Sequence, residues 1–162
     1  TVTDLKMENE VKITIIATGF SREPQALSTE ARLRHLVNFE EEEKSMKWVR
    51  ENTKERETFV TDIFGGEHMM GESLREGTEG GDWAIIPNVV TRMSEVNEFY
   101  KTSDAQKASE IAKRYNANYA MIPNRQIFAG FEWLWPEKTK LQNTQYFELV
   151  YKDGDFEYYK IK

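Results

Sequence analysis

The side chains best suited to hold a ligand are crowded into one short stretch, Phe128-Ala129-Gly130-Phe131-Glu132-Trp133-Leu134-Trp135-Pro136. Exposed tryptophan faces stack on sugar rings, and an adjacent carboxylate such as Glu132 accepts hydrogen bonds from sugar hydroxyls. Strand-like alternation places Phe131, Trp133 and Trp135 on one side. A single apolar patch follows whether these rings receive a sugar or cover the core beneath a long loop. Asp82, Trp83 and Arg92 form a second candidate set. A guanidinium holds phosphate or carboxylate with two parallel hydrogen bonds; the commoner role is a structural ion pair, with Asp82 or Glu95 as the obvious partner of Arg92.

Asp62, Glu67, His68 and Glu72 follow an expected strand end, where α/β sheets often place ligands. One histidine among scattered acids lacks the nitrogen ligands that a catalytic zinc site usually has. His35 sits on a different expected helix, so these residues read as solvated surface and no metal site is assigned. The pairs Gly65-Gly66 and Gly80-Gly81 continue into neither a Gly-Lys-Ser/Thr run nor a three-glycine pattern, so neither cradles phosphate. No serine or threonine has an elbow-like glycine context. No catalytic residue and no cofactor is assigned.

Composition sets the outer limits. The chain has 162 residues, 39% apolar and 31% charged, with a net charge of −6. That is enough to bury one core, and the acidic balance argues against nucleic acid as a partner, since a phosphate backbone asks for a basic face. Zero cysteines exclude disulfides and thiolate metal sites. No apolar run approaches the ~20 residues that span a bilayer.

The elements expected to position these residues alternate. Val11–Ala17 is β-branched and reads as a strand; Ser28 caps a helix through Val37. Glu40–Glu43 suit the first turn of a helix ending at Asn52-Thr53. Thr58–Phe64 reads as a strand broken by Gly65-Gly66, and Trp83–Ile86 as a short strand stopped by Pro87. Ser94 caps a short helix reaching Tyr100. Asp104 caps another with the apolar stripe Ala108, Ile111, Ala112 and Tyr115. Tyr119–Ile122 is a buried strand, and Lys152-Asp153-Gly154-Asp155 joins Tyr146–Tyr151 to Phe156–Ile161 as a hairpin. The expected fold is α/β, a two-layer or three-layer sandwich on a mixed sheet with crossover helices and a C-terminal antiparallel hairpin. Residues 1–39 form an N-terminal strand–helix segment, fused or expression-derived, and residues 40–162 the domain.

The succession from Glu42 to Thr53, Glu-Glu-Lys-Ser-Met-Lys-Trp-Val-Arg-Glu-Asn-Thr, resembles the helix that opens the soluble tail of multi-spanning archaeal and bacterial glycosyltransferases of the GT-C type. Gly80-Gly81-Asp82-Trp83, Arg92, Glu95–Thr102, Lys113–Tyr119 and the closing Phe147–Asp155 with Tyr159-Lys160-Ile161 follow in that family's order. The resemblance covers about residues 40–162. The Trp-Trp-Asp-Tyr-Gly motif of oligosaccharyltransferases is absent, and the family's catalytic carboxylates lie in loops between membrane helices that this chain does not contain. The resemblance therefore implies a non-catalytic accessory domain on the extracytoplasmic face of the membrane. Its implied partners are the rest of a membrane-embedded transferase and a glycan or lipid-linked sugar, contacted through the aromatic loop.

Glu8–Phe20 is similar to a strand in the C-terminal domain of the tubulin-like division protein FtsZ. It covers no part of the nucleotide-binding signature and also fits an ordinary buried strand. This leaves two alternative functions: a self-associating structural module in the cytoplasm, or a carboxylate-based hydrolase using Asp62, Glu67 or Asp82.

Overall fold

The computed structural model describes residues 39–80 and 87–162. The expected strands Val11–Ala17 and Trp83–Ile86 and the helix Ser28–Val37 lie outside the described residues, as do His35, Asp82 and Trp83. In chain order the described elements are α1 (Phe39–Asn52), β1 (Thr58–Val60), α2 (Ile63–Ser73), β2 (Glu76–Gly77), α3 (Val89–Lys101), α4 (Ala105–Arg114), β3 (Ala117–Pro123), β4 (Ile127–Phe128), β5 (Trp133–Leu134), a 3-10 turn (Thr139–Gln142), β6 (Phe147–Lys152) and β7 (Phe156–Ile161). The fold is α/β. One five-stranded sheet runs in the order β2-β1-β3-β7-β6. β1 is parallel to β2 and β3, whereas β3–β7 and β6–β7 are antiparallel.

Helices cover both faces, giving three layers. In β3 the period of two sends Tyr119 and Met121 to one side and Ala120 and Ile122 to the other, and both sets are buried. Tyr119 and Met121 meet Met46 and Val49 of α1, Met69 of α2, and Phe59, Phe156 and Tyr158. Ala120 and Ile122 meet Val96, Phe99 and Tyr100 of α3 and Ala108, Ile111 and Ala112 of α4. The small alanines of α4 let it approach the sheet closely, while Ile111 fills the remaining space. Asp104 caps α4 as expected, its Oδ1 accepting from the amides of Gln106 at 2.9 Å and Lys107 at 3.1 Å.

Two local expectations are corrected. The strand beginning at Thr58 stops at Val60 rather than Phe64, because Asp62 caps a helix. Its Oδ1 accepts from the amide of Gly65 at 3.1 Å, and Gly65-Gly66 lie inside α2 instead of breaking a strand. Ser94 is not a cap; it lies within α3, which begins earlier at Val89.

The C-terminal hairpin forms as expected. Asp153 Oδ1 accepts from the amides of Asp155 at 3.2 Å and Phe156 at 2.9 Å, which sets the turn. The register shifts between Leu149 and Tyr151. That bulge lets both Val150 and Tyr151 pack on the α1 side, where Trp48 stacks on Tyr158 at 5.5 Å.

Candidate functional site

The carboxyl ends of the three parallel strands deliver a buried polar cluster. Thr61 and Asp62 follow β1, Thr78 and Glu79 follow β2, and Arg125 follows β3. This is the end of an open α/β sheet at which ligands usually bind. Asp62 is fully buried and its carboxylate is occupied. Arg125 Nη1 donates to Oδ2 at 2.9 Å and Nη2 to Oδ1 at 3.3 Å, in addition to the Gly65 cap. Tyr100 on α3 donates its hydroxyl to the carbonyl of Met121 at 2.9 Å. Burial first, then the charges of Asp62 and Glu79, hold that phenol well above its ordinary range.

Glu79 is the unusual member. It is 3% exposed, and neither carboxyl oxygen has a hydrogen-bond partner. Burial, reinforced by the negative charge of Asp62 and opposed by Arg92, pushes its carboxyl up to about 9, so it is a neutral acid at pH 7. A buried carboxyl kept neutral is a feature of many acid–base sites. Here, however, the backbone itself occupies the crevice. A Cβ on Gly66 would lie 1.6 Å from the Glu79 carbonyl oxygen, and one on Gly80 would lie 2.5 Å from the Glu67 amide. The chain after β2 is therefore pressed against the first turn of α2, the place a ligand would take. Gly80 holds φ +112, a conformation open to glycine.

The metal-capable residues singled out in the sequence do not converge. Asp62 is buried and ion-paired, while Glu67 and Glu72 are exposed on α2. Among the described residues no three His, Cys, Asp or Glu side chains are placed to hold a metal ion. Asp62 and Glu67 likewise share no cleft, so the pair required by a carboxylate hydrolase is not formed between them.

Arg92 does not pair with Glu95. Glu95 Oε1 takes Arg114 at 2.5 Å and its Oε2 accepts from the Tyr115 hydroxyl. Arg92 instead lies over the Tyr115 ring, 5.0 Å from its centroid, and Nη1 reaches the Thr78 carbonyl at 3.3 Å. It lines a shallow depression with Pro87, Asn88, Thr91 and Tyr115.

The aromatic loop forms a small antiparallel hairpin of β4 and β5, with Ile127 opposite Leu134 and Phe128 opposite Trp133. Ile127 and Leu134 face the core, anchoring the hairpin. Trp133 lies on the opposite side with Phe128, Phe131 falls in the turn that joins β4 to β5, and Trp135 follows the end of β5; Phe131, Trp133 and Trp135 are 54%, 45% and 62% exposed, so they are open rather than a lid on the core. The three rings are not equivalent. Trp133 is stacked on Phe64 of α2 at 5.8 Å and tilted against Phe128 at 5.4 Å, so ring neighbours flank it. Phe131 and Trp135 have no ring neighbour among the described residues. Glu132 turns to Lys101 at the end of α3, 2.7 Å from its Nζ. The hydrogen bond and charge of Lys101 lower the Glu132 carboxyl, and Glu132 raises the Lys101 amine in return.

Sequence reasoning singled out the aromatic loop but not its pairing as a hairpin, and it missed Glu79, Arg125 and Lys140. Lys140 is buried with its amine donating to the carbonyls of Thr102 at 3.1 Å and Tyr100 at 3.3 Å, and burial lowers that amine to about 8. No local pattern marks these residues, because each becomes special only through partners distant in sequence. No family model matches the chain, and no curated protein matches it in sequence. No helix among the described residues is long and apolar enough to cross a membrane.

Proposed function

We propose that this chain is a non-catalytic accessory domain of a membrane glycosyltransferase, facing the extracytoplasmic side and contacting glycan through the β4–β5 hairpin. The observation that carries the reading is the exposure of Phe131 and Trp135 beside Trp133, itself held between Phe64 and Phe128, on a hairpin fixed to the core from behind. Rings that are exposed yet rigidly mounted lose little entropy when a sugar stacks on them. The ionised Glu132–Lys101 pair beside them supplies acceptors and donors for hydroxyl groups. The filled crevice at the strand ends, with Asp62 committed to Arg125 and the Glu79 backbone against Gly66, favours a binding role over catalysis.

Tryptophan fluorescence titrated with soluble oligosaccharides tests the contact. A saturable change in the wild type that disappears in Trp135→Ala is expected. A flat response across neutral and acidic oligosaccharides would remove glycan contact from the account.

A further inference from the structure

We propose that Thr78–Gly80 is a strap across the ligand end of the sheet and that Glu79 is its latch: the strap lies shut while the Glu79 carboxyl carries its proton and lifts from the first turn of α2 when that proton is lost. Backbone seats the strap. A Cβ on Gly66 would meet the Glu79 carbonyl oxygen at 1.6 Å, and one on Gly77 would meet the same oxygen at 2.6 Å, so the fit depends on glycine at both positions. A few hydrogen bonds hold it there. The Thr78 amide donates to the Phe59 carbonyl at 2.8 Å, the Thr61 amide donates to the Thr78 hydroxyl at 3.0 Å, and the Thr61 hydroxyl donates to the Glu79 carbonyl at 3.2 Å. Thr78–Gly80 brings no large apolar side chain, and it continues β2, a two-residue strand at the edge of the sheet. A segment held in this way opens at lower free energy than the core strands do.

The Glu79 side chain is the contact that turns against closure once it ionises. It is 3% exposed, and neither oxygen has a hydrogen-bond partner, so in the shut strap nothing replaces the water that a carboxylate requires. The charged groups around it do not neutralise it. Asp62, after β1, repels a second negative charge, and Arg125, after β3, gives two nitrogens to Asp62. Arg92 on α3 attracts the charge but lies over the Tyr115 ring and reaches the Thr78 carbonyl. Tyr100, also on α3, keeps its proton and donates it to the Met121 carbonyl. With the strap shut, the carboxyl is pushed up to about 9; lifted into water, it returns to the ordinary value of about 4.3. The shut value is the higher one, so closure is fully favoured below about pH 4 and weakens as pH rises to about 9. Over that span the opening equilibrium grows about tenfold per pH unit.

Amide hydrogen exchange followed by NMR between about pH 5 and about pH 8 tests the latch. Wild type and Glu79→Gln are compared, each rate divided by the intrinsic amide rate at that pH. Thr61 and Thr78 report on the strap, and the amides of β7, paired to β3, report on the whole domain. In the wild type the strap amides should be less protected than those of β7, unmoved by sub-denaturing urea, and about tenfold less protected for each pH unit. In Glu79→Gln, which keeps the shape without the charge, strap protection should stay constant with pH. Exchange of Thr61 and Thr78 at the β7 level, with the same urea dependence, would show that the segment opens only when the domain unfolds and would overturn the proposal. So would a pH-independent strap in the wild type, or a pH dependence that survives in Glu79→Gln. If the variant fails to fold, the wild-type pH profile and urea response still decide.

Discussion

Replacing Glu79 with Gln should abolish most of the dependence of stability on pH between about 5 and about 9. Glu79 is buried without a hydrogen-bond partner, beside the negative charge of Asp62, and its carboxyl is raised from 4.5 to about 9. Because the folded value lies above the unfolded one, its contribution is whole below pH 4.5 and is lost as pH rises to about 9. At about 1.4 kcal/mol per pH unit, the loss amounts to about 3 kcal/mol at pH 7 and about 6 kcal/mol at pH 9 and above. Against a total stability of about 5–15 kcal/mol for a domain, that is a large fraction. The Gln amide enters the same site with the same shape and no charge. The two proteins should therefore differ by less than about 1 kcal/mol near pH 5 and diverge steadily above it, the variant becoming the more stable. Urea unfolding of both across this range is the assay. All other titrations are shared, so the difference curve isolates Glu79. Parallel curves would refute the argument by showing that the carboxyl reaches water or a partner in the folded state.

Other perturbations separate the structural from the binding residues. Asp62→Ala removes the buried carboxylate that takes two nitrogens of the Arg125 guanidinium and should cost about 3–5 kcal/mol in urea unfolding; the double variant with Arg125→Ala should lose less than the sum of the singles. Gly66→Ala would set a methyl group 1.6 Å from the Glu79 carbonyl oxygen, so thermal melting should show a loss of about 3 kcal/mol or more. Trp133→Ala should destabilise by about 1 kcal/mol or more through lost contact with Phe64 and Phe128, whereas Trp135→Ala should stay within about 0.5 kcal/mol in the same melts.

Much of the architecture was legible because it rests on local rules. The Asp104 cap, the apolar stripe of α4 and the Asp-Gly hairpin turn each follow from neighbouring residues, and each forms as read. The same rules misplaced the end of β1. Ile63 and Phe64 have strand propensity, but Asp62 captures the Gly65 amide and the close approach of the Glu79 carbonyl requires glycine at position 66, so helix wins. Alternation was expected to place Phe131, Trp133 and Trp135 on one side; β5 spans only Trp133–Leu134, with Phe131 in the turn before it, and all three rings are exposed. Which of them is open was not legible, because Phe64 covers Trp133 from another element of the fold. Arg92 illustrates the same limit. Its sequence neighbour Glu95 sits on the same helix, yet Glu95 is taken by Arg114 and Tyr115 from α4, leaving Arg92 on the Tyr115 ring.

The claim that this domain serves a membrane glycosyltransferase is tested most directly by reading the source gene on both sides of the segment. The account predicts many membrane spans encoded ahead of Glu40, with an acidic loop between the first two. A gene with no membrane span upstream of Glu40 would contradict it.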